Sequence, residues 1–210
     1  MARPTASSPP LQAPSTRELR PRGQRTQARL LEAAVEVFAA KGYHAARVDD
    51  IVKAAATSHG TFYLYFANKE DLFAVLAEDV AAAFDAAAAD FPGITATPDG
   101  VAAIRAWLDR FTALYERHTH VLEAWTAADI AGEDAGRRGE EMIGNFVVVL
   151  SERVAGSEAP GPELVVAVTA VVAMIERYNY YVSNRRVPAE REAMLDTLAR
   201  VTVAALSATF

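Results

Sequence analysis

Residues Thr57–Leu72 read TSHGTFYLYFANKEDL, and Phe62, Tyr63, Tyr65 and Phe66 place four aromatic rings within a window of five. The chain of 210 residues has only eighteen aromatics, so the cluster needs a reason. In a helix Phe62 and Phe66 lie four apart and share a face, which is expected to pack as core with Phe38 and Ile51. Tyr63 and Tyr65 fall off that face. A phenol joins an apolar ring to a hydroxyl that can meet a phosphate oxygen, and phosphate contacts fix register on a duplex.

The residues just upstream complete the picture. A short helix is predicted over Val48–Ala55, with Asp49 and Asp50 complementing its positive end. A tight turn follows at Ala56-Thr57, and Ser58 can cap a second short helix by accepting from the free amides of its first turn. Two short helices joined by a tight turn form a helix-turn-helix, here about 47–66, which places its second helix in the major groove of DNA. Ser58, His59, Gly60 and Thr61 form the first turn of that helix, the part that reaches base edges. Gly60 lets the backbone approach closely, while His59 and Thr61 can donate or accept in the groove. Lys69 opens the next helix, where its charge adds to the helix N-terminus and can hold a phosphate. If all four aromatics were core and the turn an ordinary hairpin, the polar tips of Tyr63, Tyr65 and Lys69 would share an outward surface for no reason.

On the N-terminal side a helix is expected over Arg22–Ala40, with Leu31, Val35 and Phe38 on one face and Gly42 ending it. Asn68 is the expected cap of a long helix over Lys69–Phe91. Beyond the break FPGITATPDG, helices are expected at 101–117, 120–131, 137–155, 163–184 and 188–209. No segment alternates long enough for a strand. The expectation is all-α, about nine helices.

The stretch ARLLEAAVEVFAAKGYHAARVDDIVKAAATSHGTFYLYFANKEDLF resembles the N-terminal domain of the TetR family of bacterial transcriptional regulators. The resemblance covers about Gln24–Phe84 and rests on Phe-Ala-x-x-Gly-Tyr, Val-Asp-Asp-Ile and Gly-Thr-Phe-Tyr-x-x-Phe-x-x-Lys-Glu-x-Leu at the family's spacing. It implies base or phosphate contacts from Ser58, His59, Thr61, Tyr63, Leu64 and Tyr65, with Lys69 on a phosphate. Two positions depart from the pattern. Ala56-Thr57 stands where the family usually has Gly-Val, and alanine tolerates a positive φ poorly, so either a slightly strained or a differently shaped turn is expected there. Ala46-Arg47 stands where Thr or Ser is common, which weakens the helix cap but puts the Arg47 cation beside the expected DNA backbone.

Charge distribution agrees with a DNA-facing end. Residues 1–69 carry ten basic and five acidic side chains, whereas residues 70–210 carry eleven basic and twenty-two acidic ones, for a net charge of −6. A basic end on an acidic body points the former at a polyanion. Residues 1–21, rich in Pro and Ser, are expected to form a disordered basic arm. Arg17, Arg20, Arg22 and Arg25 would either reach the DNA backbone or minor groove or act as a solvated tail. The organisation expected is this arm, a DNA-binding domain over 22–84 and a ligand-binding and dimerisation domain over 85–210, the last a role implied by the resemblance.

In the C-terminal part, Met194, Leu198, Val201 and Ala205 recur at helical spacing as an apolar seam suited to a four-helix dimer bundle. Trp107, Phe111 and Tyr115 share a helix face, with Trp125 and Phe146 on adjacent helices. Glu176, Asn179 and Tyr180 follow an apolar run. Together they are candidates for a pocket that takes a lipophilic or aromatic molecule, although such stripes also serve as plain core. The long helix from Lys69 is the expected transmitter between ligand and DNA.

Other classes find less support. The chain has no cysteine, so neither disulfides nor thiolate metal sites are available, and no cofactor or metal is expected. No phosphate-cradling Gly-rich loop or Gly-x-Ser-x-Gly elbow occurs. His118 and His120 are two apart and do not share a helix face. The most apolar run, Leu164–Ile175, is twelve residues long, against roughly twenty for a membrane span, and no targeting segment is visible. The function expected is a cytoplasmic homodimeric repressor that binds a palindromic double-stranded operator and is released by a small-molecule inducer. The alternative is an architectural DNA-binding dimer without a ligand.

Overall fold

A computed structural model describes residues 20–130, 134–156, 158–183 and 190–208. The expected arm, residues 1–21, lies outside them except for Arg20 and Pro21. The described residues form eight helices and no strand: α1 (Pro21–Lys41), α2 (Val48–Ala54), α3 (His59–Tyr63), α4 (Lys69–Ala89), α5 (Pro98–Ile130), α6 (Asp134–Ala155), α7 (Pro162–Ser183) and α8 (Arg191–Ser207). They pack as two compact units, with the division falling inside α4 between Val75 and Leu76.

In the first unit, Pro21 opens α1, where its missing N–H costs nothing, and Gly42 closes it at φ 77°, its N–H donating to the Phe38 carbonyl. The buried stripe of α1 is Leu30, Ala33, Ala34, Val37 and Phe38. Leu31 and Val35, expected on that face with Phe38, are only half-buried. The stripe lies one residue to the side, with Ala33 and Ala34 facing the core in place of Leu31 and Val35. Phe38, Tyr43 and Phe73 form a ring cluster, with the Tyr43 and Phe73 centroids 4.8 Å apart. Phe62 and Phe66 are both fully buried, 5.6 Å apart.

In the second unit α5 packs against α6, α7 and α8, while α7 also packs on α6 and α8. The two helices expected at 101–117 and 120–131 are one helix of 33 residues, about 50 Å long at the usual rise. Nothing between Val101 and Ile130 interrupts it, since the segment lacks Gly and Pro. Thr119, inside the expected break, turns its hydroxyl back to the Tyr115 carbonyl at 3.1 Å, so its polar group is satisfied within the helix. This merger lowers the count from nine to eight. Ion pairs clasp α5 to α8: Arg105 meets Glu192 and Asp196, and Arg191 meets Asp109 and Glu116 at 3.0 and 2.9 Å.

Candidate functional site

The turn between α2 and α3 is built from local hydrogen bonds. The Thr57 N–H reaches back to the Val52 carbonyl at 2.9 Å, and the Ala56 N–H to the Lys53 carbonyl at 3.2 Å. This pairing is the Schellman closure of a helix C-terminus, and it requires the residue between cap and exit to be left-handed. That residue is Ala56, at φ 47°. The strain expected from Ala in place of Gly is thus present, at roughly 1–2 kcal/mol.

Ser58 caps α3 as expected. Its Oγ accepts from the Thr61 N–H at 3.1 Å and lies 3.0 Å from the Thr61 hydroxyl. The two hydroxyls therefore engage each other, and Thr61 is half-buried. His59 Nε2 lies 2.5 Å from Asp49 Oδ1, which ties the first turn of α3 to the first turn of α2 and leaves Nδ1 for an outside contact. Gly60 is exposed and helical, and a Cβ there would meet nothing nearer than Ser58 Oγ at 3.8 Å. Nothing inside the protein demands glycine at this position. Tyr63 and Leu64 project outward at 54% and 72% exposure, and Tyr65 is half-buried beside them.

Cations flank this surface. Arg47 and Lys53 are exposed at the two ends of α2, and Arg22 and Arg25 are exposed on α1. The backbone N–H of Arg47 donates to Asp50, whose carboxylate also takes Lys41 at 2.5 Å. That pairing with Lys41 holds Asp50 below the usual carboxylate range. The Asp50 side chain thus satisfies the backbone N–H of the N-cap residue, the Glu/Gln half of a capping box. Lys69, expected on a phosphate, is also engaged within the protein. Its ammonium lies 4.2 Å from the Tyr43 ring centroid and donates to the Tyr43 carbonyl at 2.9 Å. It is a fixed, half-buried cation with two N–H groups left to offer. The KGY segment had suggested only a helix end; the role of Tyr43 as its seat depends on packing that no local pattern displays.

The second unit contains a cavity of about 490 Å³, within the range of small-molecule sites. Of the expected lining, Phe111, Tyr115, Trp125, Phe146, Glu176 and Tyr180 do line it. Trp107 and Asn179 do not. Trp107 stacks behind Phe111 at 5.1 Å, and its indole N–H donates to the Ala87 carbonyl, so it is core. Asn179 is fully buried and donates to the Ile175 carbonyl one turn back. Residues that the aromatic pattern missed, among them Phe84, Met142 and Ile175, also line the cavity. The Tyr115 hydroxyl donates to Glu176 Oε1 at 3.5 Å. Burial, reinforced by the Glu176 charge, pushes the Tyr115 phenol well above its ordinary pKa, so it is a neutral donor.

The seam predicted on the last helix divides. Met194 and Leu198 are buried within the protomer, whereas Val201 and Ala205 are exposed. At 3.6 residues per turn the four lie within about 60° of one another, at the edge of a buried face that toward the C-terminus is made instead by Thr202, Val203 and Leu206.

The first unit is a helix-turn-helix module with an outward apolar and aromatic tip and a cationic border. Residues 30–76 match the model of bacterial regulatory proteins, tetR family. The family resemblance thus rests on the helix-turn-helix segment, residues 30–76 of the 210. It is 48% identical over 52 residues to the HTH-type transcriptional regulator YvdT of Bacillus subtilis, covering 25% of this chain and 27% of that protein. It is 54% identical over 43 residues to the fatty acid metabolism regulator protein of the same organism, covering 20% and 22%. The chain thus spans about a quarter of the length of the curated relatives it matches. The fold extends further: the fatty acid degradation regulator FadR from Bacillus halodurans superposes with a TM-score of 0.65 at 18% identity, over 89% of this chain and 97% of that one.

Proposed function

We propose that this protein is a DNA-binding transcriptional regulator that acts as a homodimeric repressor and is released by a small molecule. The observation that carries the reading is the tip of α3. Gly60, Tyr63 and Leu64 are exposed together on a helix whose own packing requires none of them. An apolar side chain such as Leu64 suits a thymine methyl, and a close-approaching backbone at Gly60 suits a groove floor. His59 and Thr61 add polar contacts to base edges, while Arg25, Arg47, Tyr65 and Lys69 meet phosphates.

Pairing of two protomers through α7 and α8 supplies the second reading head. Val166, 69% exposed on α7, and Val201, 43% exposed on α8, are the apolar residues offered to a partner, with Ala205 beside Val201. Met194 and Leu198 support that surface from inside. The cavity takes a lipophilic or aromatic effector, and α4, which has residues in both units, passes on the response. A ligand that prefers the non-binding spacing of the heads weakens DNA affinity by its differential binding, typically ~1–3 kcal/mol.

The test is selection of duplex DNA from a random pool at two salt concentrations. A palindrome with half-sites about one helical turn apart is expected. Salt-sensitive binding without a consensus would instead indicate an architectural role, and no binding would sink the reading. On the selected site, Tyr63→Ala should cost about tenfold or more in affinity. Arg47→Ala and Lys69→Ala should each reduce the slope of log affinity against log salt by about 1; an unchanged slope removes that residue from the phosphate contacts.

A further inference from the structure

The cavity of the second unit carries more charge than a lipophilic effector needs. Among its described lining residues, Glu123, Glu140 and Glu176 are carboxylates and Arg177 is a guanidinium. Arg177 is already occupied: its guanidinium lies 5.2 Å from the Tyr180 ring centroid and 6.0 Å from that of Tyr181, and its Nε lies 3.8 Å from Glu176 Oε2. An anionic head group would find one engaged cation among three carboxylates. The aromatic walls push in the same direction, because ring faces are negative and attract cations. Arg177 over Tyr180 is such a contact already in place at the cavity.

We infer that the cavity takes a cationic amphiphile, an organic ammonium or amidinium on an aromatic or aliphatic body. This rests on the reading of the cavity as the effector site and adds the ligand's charge to it. The head would sit at Glu176, which the neutral Tyr115 hydroxyl approaches from the buried side. The body would lie among Phe111, Phe146 and Ile175, all buried. Glu123 and Glu140, both exposed at the cavity, draw the cation in.

Calorimetric titration of the full chain with dodecyltrimethylammonium and with dodecanoate, each below its micelle-forming concentration, separates charge from chain length. The cation should bind about tenfold or more tightly than the anion. Glu176→Gln, which keeps an acceptor for Tyr115, should remove most of that preference without loss of helicity by circular dichroism. If dodecanoate binds as tightly as the cation or better, the cationic preference is overturned and the cavity still stands as an effector site. If the preference survives in both Glu176→Gln and a Glu123→Gln/Glu140→Gln double variant, the carboxylates are not its source and the inference fails. If neither amphiphile binds, the effector reading of the cavity falls as well.

Discussion

The two units put the same kind of residue to opposite uses. In the first, neighbouring aromatics divide by direction: Phe62 and Phe66 are sealed in the core, while Tyr63, one position away, stands in solvent. In the second, aromatics spread over α4, α5, α6 and α7 converge on one cavity. A surface that meets DNA can be assembled from one short helix and its caps. A cavity needs walls from several helices, so no single segment contains it. The first unit is therefore tuned by local hydrogen bonds and the second by packing.

Phe62→Ala should test this division most severely. A fully buried phenylalanine lost from a small unit costs about 3–5 kcal/mol, so thermal unfolding of the first unit should fall sharply. Tyr63→Ala, its neighbour, should move that transition by less than about 0.5 kcal/mol while abolishing most DNA affinity. Equal effects on stability would erase the contrast.

Gly60→Ala separates stability from function more finely. Because a Cβ fits there, alanine should stabilise α3 by roughly 0.5–1 kcal/mol. Affinity for the selected duplex should nonetheless drop about tenfold, as lost base-edge contacts cost ~1–3 kcal/mol. A stabilised protein with undiminished binding would remove Gly60 from the interface. Ala56→Gly should raise stability by about 1 kcal/mol by relieving the left-handed backbone, with DNA affinity unchanged because the turn geometry is kept.

The smallest expected effect is electrostatic. Lys41 holds the folded-state Asp50 carboxyl below its usual pKa, so in acid the unfolded chain takes up the proton first. The stabilisation is therefore present above about pH 4 and is lost as pH falls through the lower folded value. Asp50→Asn should lower stability at neutral pH and flatten this acid limb in a denaturation series. An unaltered slope would show the Lys41 pairing to be inert in solution.

Much of the first unit was legible in the chain. Ser58, Asn68 and Gly42 end or begin helices through contacts only three or four residues long, and a sequence displays such contacts directly. The positive φ of Ala56 was legible only against the family pattern, which usually has glycine there. What escaped was the seat of Lys69 on Tyr43, twenty-six residues apart in sequence.

In the second unit, aromatic residues and the polar groups after an apolar run pointed to six cavity residues, but helical periodicity could not distinguish Trp107, which backs the wall, from Phe111, which forms it. Both lie on one face of α5. The all-helical chain, the capped helix-turn-helix and the outward direction of Tyr63 follow from residue order alone, because propensity, caps and a 3.6-residue period act within a turn or two. Packing between distant segments is what leaves α5 unbroken, turns Met194 and Leu198 inward and gathers carboxylates from three helices at one cavity. Those outcomes depend on which helices become neighbours, which is set by long-range burial.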